Sequence, residues 1–300
     1  MLEGRVVIVT GGGRGIGRSH CLELAAHGAT VVVNDLGVGV GGERSFETPA
    51  DEVVAAIEEK GGTAMADGSS VSDWAAVEGL IGRTVERFGH LDAVVNNAGI
   101  LRDSMIATLE EAAWDAVIDV HLKGTLALTR HACAYWRAES KAGRTRAARI
   151  VNTTSGTGLA GNVGQAAYGA AKAGIANLTL TTALEGSRYG VTANAVSPVA
   201  NTRMTSGTGF AGTAEGTFDK FDPANSSPVV AWLCSEQSGW LTGRVLRVDG
   251  NTVHPVDPWS VRPGHAAAGG GRLDAAEIDA GLRVVMGTSP AGLPGLSVIR

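Results

Sequence analysis

Val6-Val-Ile-Val-Thr10 runs straight into Gly11-Gly-Gly-Arg-Gly-Ile-Gly17, and this junction constrains the fold more than any other stretch. A short β-branched run reads as a buried strand. The residues from Gly15 to Ala26 read as a helix. Glycines between a strand and a helix let a backbone come close to a pyrophosphate, and free amides at the helix start meet its charge. Gly11, Gly15 and Gly17 are the spaced glycines of such a loop, with Arg14 and Ile16 between them. A glycine-rich run alone carries little weight; the strand before it and the helix after it supply the context that counts.

The alternation continues. Thr30–Asn34, Ala93–Asn96, Arg149–Thr153, Gly190–Ala195 and Arg244–Val248 read as further strands. Pro49–Lys60, Trp74–Phe88, Trp114–Tyr135, Ala166–Ser187 and Val229–Leu233 read as helices between them. Strands alternating with helices predict an α/β fold, a single doubly wound parallel sheet. Ligands of such sheets bind beyond the carboxyl ends of the strands. The second strand ends at Asp35. A carboxylate there accepts both adenine-ribose hydroxyls and repels a 2′-phosphate, which favours NAD over NADP. Arg14 pulls the other way, but a dianion against a fixed carboxylate is the costlier arrangement.

Two stretches break the pattern. Residues 206–221 are rich in Gly, Thr and Ser and read as a lid or as a plain surface loop. The chain from residue 254 to 300 is Pro- and Gly-rich with one weak helix, Asp274–Met286. It reads as an extension of a 1–253 domain, packed on that domain or on a partner subunit. The 44% hydrophobic content suits a substantial core, and a net charge of −5 argues against a nucleic-acid binder. Cys21, Cys133 and Cys234 match no metal spacing, so no metal is expected. Val6–Val9 is too short for a signal-peptide core, and no segment approaches the roughly 20 apolar residues of a membrane span. No membrane association and a cytoplasmic setting are expected; Val298-Ile-Arg300 is not a peroxisomal address.

Tyr168 and Lys172 stand four residues apart in the Ala166–Ser187 helix, with Ser155 upstream. Four residues apart, phenol and ammonium share a face. A nearby cation favours phenolate, and a tyrosine so poised can exchange a proton with a carbinol oxygen. The basic run Lys141, Arg144, Arg146 and Arg149 lies before the strand leading to Ser155, away from that site, and reads as a solvated loop.

Thr10-Gly11-x-x-x-Gly15-Ile16-Gly17, Asn96-Asn97-Ala98-Gly99, Ser155 and Tyr168-x-x-x-Lys172 occur together and in this order. With them the chain resembles the short-chain dehydrogenase/reductases over roughly residues 4–250. Val33–Gly37, Asn96–Asp103, His121–Gly124, Gly161–Gln165 and Ala231–Glu236 are similar to the branch of (3R)-hydroxyacyl-CoA dehydrogenases. The resemblance implies a Rossmann-type fold, NAD as cofactor, and hydride exchange at a secondary alcohol or ketone. A 3-hydroxyacyl-CoA, with or without a sterol-derived side chain, is the first substrate expected. A 17β-hydroxysteroid activity, a 3-oxoacyl carrier reductase and a non-catalytic NAD(H) sensor are the alternatives. Carried over by position, Tyr168 is the acid/base, Lys172 its partner and a holder of the nicotinamide ribose, and Ser155 the donor to the substrate oxygen. The family's usual asparagine is replaced by His121, which either anchors a proton-relay water or only packs between helices. Ser70 and Val71 fall where adenine is gripped, and Asn97, Ala98 and Gly99 where the adenosine ribose lies. Pro198 and Val199 fall beside the nicotinamide amide, with Thr202 reaching its carboxamide or the phosphates. The resemblance and the small residues of the Tyr168 helix imply a homodimer or homotetramer.

Overall fold

The computed structural model describes residues 1–37, 49–200, 217–257, 259, 261, 264–267 and 271–286. Eight strands form one sheet: β1 (Val6–Thr10), β2 (Thr30–Asn34), β3 (Thr63–Asp67), β4 (Ala93–Asn96), β5 (Ala148–Thr153), β6 (Val191–Val199), β7 (Arg244–Asp249) and β8 (Thr252–Val256). The spatial order is β3-β2-β1-β4-β5-β6-β7-β8. All neighbours are parallel except the β7–β8 pair. The order reverses direction between β1 and β4, the point at which a doubly wound sheet opens a crevice.

The helices are α1 (Gly15–Ala26), α2 (Pro49–Glu58), α3 (Trp74–Phe88), α4 (Glu111–Ile118), α5 (Gly124–Lys141), α6 (Gly156–Ala160), α7 (Ala166–Gly186), α8 (Ser227–Cys234) and α9 (Ala275–Met286). Period-two alternation along β1 feeds two cores. Val7 and Val9 join Val31 and Val33 in the core that also holds Leu24 of α1 and Leu233 of α8. Val6 and Ile8 join Val32, Leu80 of α3 and Trp136 of α5 in the other. Burying such a side chain fully stabilises by roughly 1.5–3 kcal/mol, so a strand buried on both faces can hardly be anything but central. α3 shows how sequence sets a boundary: the Asp73 side chain accepts a hydrogen bond from the Ala76 amide at its start, and Gly89 closes its end in the left-handed region.

Three expectations change. The helix expected over Trp114–Tyr135 is two helices joined by a π-helical turn at Asp119–Lys123. β6 runs on to Val199 instead of ending near Ala195, so Pro198 and Val199 lie in the sheet, paired with Val248 and Asp249 of β7. β5 stops pairing at Thr153–Val196. Pro198 therefore sits where β6 has a neighbour on one side only, a position that tolerates a missing N–H. Arg149 is not in a solvated loop: it is buried in β5, and its guanidinium donates to the carbonyls of Ala148, Ser235 and Glu236. Arg144 and Arg146 pair with Glu139 and Asp92. β8, a short antiparallel edge strand, was not expected at all.

The chain divides into Met1–Val256, which holds the whole sheet, and Asp257–Arg300. In the latter, α9 is the only helix among the described residues. Among the described residues, no helix is long and apolar enough to cross a membrane.

Candidate active site

The β1–α1 turn is shaped by what its backbone must not carry. Gly11 holds φ +62° and lies against Ala98, where a Cβ would come within 2.9 Å of the Ala98 Cα. A Cβ on Gly17 would run into the Gly11 carbonyl oxygen and the Asn97 amide. Thr10 Oγ1 accepts from the Asn97 and Ala98 amides at 3.1 and 3.2 Å. Asn97 Nδ2 donates to the carbonyls of Thr10 and Gly11 at 3.0 and 3.1 Å. Asn97 and Ala98, the segment after β4, thus brace the glycine loop from behind.

Asp35 joins the same turn. Its carboxylate accepts from the Gly13 amide at 3.0 Å and from the Gly37 amide at 2.9 Å. Among the described residues no side chain caps the α1 N-terminus: Arg14 stands at the cap position without a side-chain bond, and the first turn carries no acid. Amides left open at a helix start, behind a backbone stripped of Cβ atoms, fit a pyrophosphate. Ser70 and Val71 follow β3. Ser70 Oγ accepts from the Ser72 amide at 3.3 Å, and Val71 is buried against Gly124. Thr202 and residues 206–216 of the expected lid lie outside the described residues; Lys220, near the lid's end, pairs with Asp249 at 2.9 Å.

The titratable groups gather beyond β4 and β5. Ser155 follows β5 and begins α6, its hydroxyl accepting from the Thr157 amide at 3.2 Å. Tyr168 lies on the first turn of α7, and the Ser155 side chain acts on its phenol in the direction of phenolate. Lys172, one turn on, is buried; its ammonium donates to the Thr153 carbonyl at 2.6 Å and stands 5.6 Å from the Tyr168 ring centroid. Thr154, a residue not singled out in the sequence, is buried and fixes this helix by donating to the Lys172 carbonyl at 2.8 Å.

Burial has the largest effect on each proton. It pushes Lys172 down to about 7. Tyr168 is pushed up, chiefly by burial and further by the Asp103 carboxylate, against the opposing effect of the Ser155 side chain. The sequence suggested the reverse direction, because a cation four residues away favours phenolate. Lys172 is spent instead on Thr153, and loss of solvent outweighs it.

The π turn delivers His121. Its ring is buried and meets the Tyr168 ring edge to face, centroids 5.3 Å apart. Nε2 lies 2.7 Å from the Ile100 carbonyl and 3.0 Å from the Ile100 amide. Each tautomer satisfies one of these two contacts, the Nε2–H form the carbonyl and the Nδ1–H form the amide, and Nδ1 is buried with no partner among the described residues. Burial and the Lys172 charge push this histidine down to about 3, so it is neutral throughout the working range. Gly99 makes room for it: any Cβ there would collide with His121 Cε1. A cavity of about 290 Å3 bounded by Leu22, Thr30, Ile57 and Thr63 lies where β2 and β3 begin, at the other end of the sheet.

An uncapped helix start and a proton-handling cluster, side by side at the carboxyl ends of one parallel sheet, define a nucleotide-dependent oxidoreductase. The chain belongs to the short-chain dehydrogenase family, whose model matches residues 5–209. It is 42% identical over 286 residues, 94% of this chain and 88% of the relative, to hydroxyacyl-CoA dehydrogenase ChsB1 of Mycobacterium tuberculosis. It is 40% identical over 265 residues to peroxisomal multifunctional enzyme type 2 of Drosophila melanogaster, covering 84% of this chain but 42% of that longer protein. A short chain dehydrogenase from Mycobacterium avium superposes with a TM-score of 0.86 at 49% identity, covering 98% of each chain. Family members use NAD or NADP, and the glycine loop described above fits such a dinucleotide.

Proposed function

We propose that this protein is an NAD-dependent dehydrogenase of 3-hydroxyacyl-CoA substrates. The observation that carries the reading is the Ser155–Tyr168–Lys172 cluster beside a glycine loop whose Gly13 amide donates to the Asp35 carboxylate. The name of one relative, hydroxyacyl-CoA dehydrogenase ChsB1, points to the acyl-CoA substrate class. Bound on the α1 N-terminus, a nicotinamide dinucleotide supplies the hydride acceptor for the alcohol.

In oxidation Tyr168 acts as phenolate and takes the hydroxyl proton; in reduction its phenol returns that proton to the carbonyl oxygen. Ser155 donates a hydrogen bond to the same oxygen, where negative charge develops. Lys172 holds the ribose and, when protonated, favours the phenolate. In its Nε2–H tautomer His121 offers the unpartnered Nδ1 as an acceptor, which suits a water on the route from Lys172 outward. Asp35 accepts the adenine-ribose hydroxyls and disfavours a 2′-phosphate. Ser70, Val71, Pro198, Val199 and Thr202 complete the cofactor's surroundings. Leu126 on α5 and Leu184 on α7 are exposed large apolar side chains, which supports a homo-oligomer, and light scattering reads that directly.

The deciding experiment follows absorbance of the reduced nicotinamide with a panel of 3-hydroxyacyl-CoAs, 17β-hydroxysteroids and carrier-bound acyl groups. Turnover of hydroxyacyl-CoAs with NAD supports the reading. Turnover of steroids alone replaces the substrate class. Tight NAD binding without turnover of anything favours a sensor.

A further inference from the structure

The turn after β3 carries Ser70 and Val71, yet packing does not hold its entrance. Gly68 is exposed, and a Cβ there would meet nothing within 4 Å. Polar bonds hold the turn instead, and they converge on Asp67, the last residue of β3, whose side chain is 5% exposed. Asp67 Oδ1 accepts from Asn34 Nδ2 at 3.1 Å and from the Ser69 amide at 2.8 Å. Its Oδ2 accepts from Arg83 Nε at 3.0 Å and also from Arg83 Nη2. The same Nη2 donates to Ser69 Oγ at 2.8 Å. Asn34 Nδ2 reaches the Ser69 carbonyl at 2.9 Å, and the Asp35 amide donates to the Asp67 carbonyl at 3.0 Å. Both oxygens of Asp67 therefore have donors, and this carboxylate is spent on holding the ends of β2 and β3. Burial alone would raise the Asp67 carboxyl, but the bonds from Arg83 and Ser69 outweigh it and hold it below the ordinary carboxylate range.

Arg83 comes from α3, the helix that follows the same turn. Helical side chains lean towards the helix N-terminus. Gly79, four residues earlier, leaves room for that course: a Cβ there would stand 2.9 Å from Arg83 Nη1. The guanidinium thus lies back along α3 and ties it to the end of β3, closing residues 68–73 from both flanks. Neither Asp67 nor Arg83 belongs to a motif read from the sequence.

We propose that Arg83 is a positioning residue for the adenosine half of the nucleotide: through Asp67 and Ser69 it holds the turn at residues 68–72 and the Asp35 strand end in the arrangement that receives adenine and its ribose. The inference rests on the roles given above to Asp35, Ser70 and Val71, and not on the choice of substrate. A turn released from its clamp must be ordered again when the ligand binds, and that cost appears as lost affinity. The Tyr168 cluster is held by separate bonds, from Thr153 and Thr154, so the loss should stay at the adenosine end.

The test measures binding of NAD and of AMP by isothermal titration calorimetry in wild type, Arg83→Met and Arg83→Lys. The Arg83 side chain is half exposed, and Met keeps its apolar stem while removing every donor. Arg83→Met is expected to weaken NAD and AMP by the same factor, about tenfold. Arg83→Lys returns a cation to Asp67 but lacks the fork that also reaches Ser69, so its loss should be about threefold. Ser69→Ala removes one bond of the network, should weaken AMP by about twofold, and serves where Arg83→Met fails to fold. With 3-hydroxyacyl-CoA as substrate, KM for NAD should rise by the same factor in Arg83→Met while kcat stays within about twofold. Unchanged AMP affinity in Arg83→Met overturns the proposal. So does a fall in kcat that matches the fall in NAD affinity, which would mark Arg83 as merely structural. A wild type that binds neither NAD nor AMP overturns the nucleotide reading and this proposal with it. A wild type that binds both, beside an Arg83→Met that binds both as tightly, overturns this proposal alone.

Discussion

The two lips of the crevice are built on opposite principles. On the glycine-loop side, geometry is set by backbone approaching backbone: Gly11 against Ala98, and Gly17 against the Gly11 carbonyl, with Asp35 tied to the Gly13 and Gly37 amides. On the Tyr168 side, geometry is set by side chains reaching across elements: Lys172 to Thr153, Thr154 to the Lys172 carbonyl, His121 to Ile100, Gln165 to Asp103. The first lip leaves its amides open to an anion; the second takes its ionisable groups out of water and changes their proton affinities. Steric exclusion is all-or-none, whereas electrostatic tuning is graded. Mutations on the two lips should therefore fail differently.

The largest effect is expected from Tyr168→Phe, which removes the exchangeable proton and should lower kcat about a thousandfold while leaving NAD affinity within about threefold. Steady-state kinetics beside a fluorescence binding titration separates the two. A comparable loss of NAD affinity would break the division between the lips. Gly17→Ala is the matching test on the other side. Its methyl has no place to go, so the loop must shift; NAD affinity should fall at least about 100-fold, and stability by about 2–4 kcal/mol. Wild-type affinity in that variant would show that the loop is not held as described.

Asp35→Ser should relax cofactor choice, raising kcat/KM for NADP relative to NAD by about 10- to 100-fold with little change in kcat for NAD. Tighter NADPH than NADH binding in the wild type would instead overturn the role given to Asp35. A pH effect on stability is expected from Lys172. Its folded value is pushed down to about 7, so the unfolded chain binds more protons between there and the ordinary lysine range near 10.4. Stability should accordingly rise with pH across that window, by on the order of 2 kcal/mol, and Lys172→Met should flatten the rise. Chemical denaturation at a series of pH values reads both. The smallest expected change is in His121→Asn. Because the imidazole is neutral at working pH, its removal should leave the positions of both pH limbs unchanged and lower kcat by no more than about tenfold. A limb that disappears in this variant would mean that His121 titrates during turnover.

The sequence by itself determined the strand-helix alternation of the parallel sheet, though not β3 or β8, together with the glycine loop and the Ser155, Tyr168 and Lys172 set. Each is encoded locally, in the period-two valines of β1 and β2, the spacing of Gly11, Gly15 and Gly17, or the four-residue step from Tyr168 to Lys172. Local patterns fail where the outcome depends on a neighbour distant in the chain. Trp114–Tyr135 has a continuous helical pattern, yet a π turn interrupts it so that His121 can enter the space that Gly99 leaves free. Arg149 looked solvent-bound until the carbonyls of Ser235 and Glu236 arrived beside it. The bond between Asp103 and Gln165 was not legible because their meeting depends on two loops brought edge to edge. The direction of the Tyr168 shift went against the sequence for the same reason: proximity of a cation is legible in spacing, but loss of solvent is a property of the folded whole.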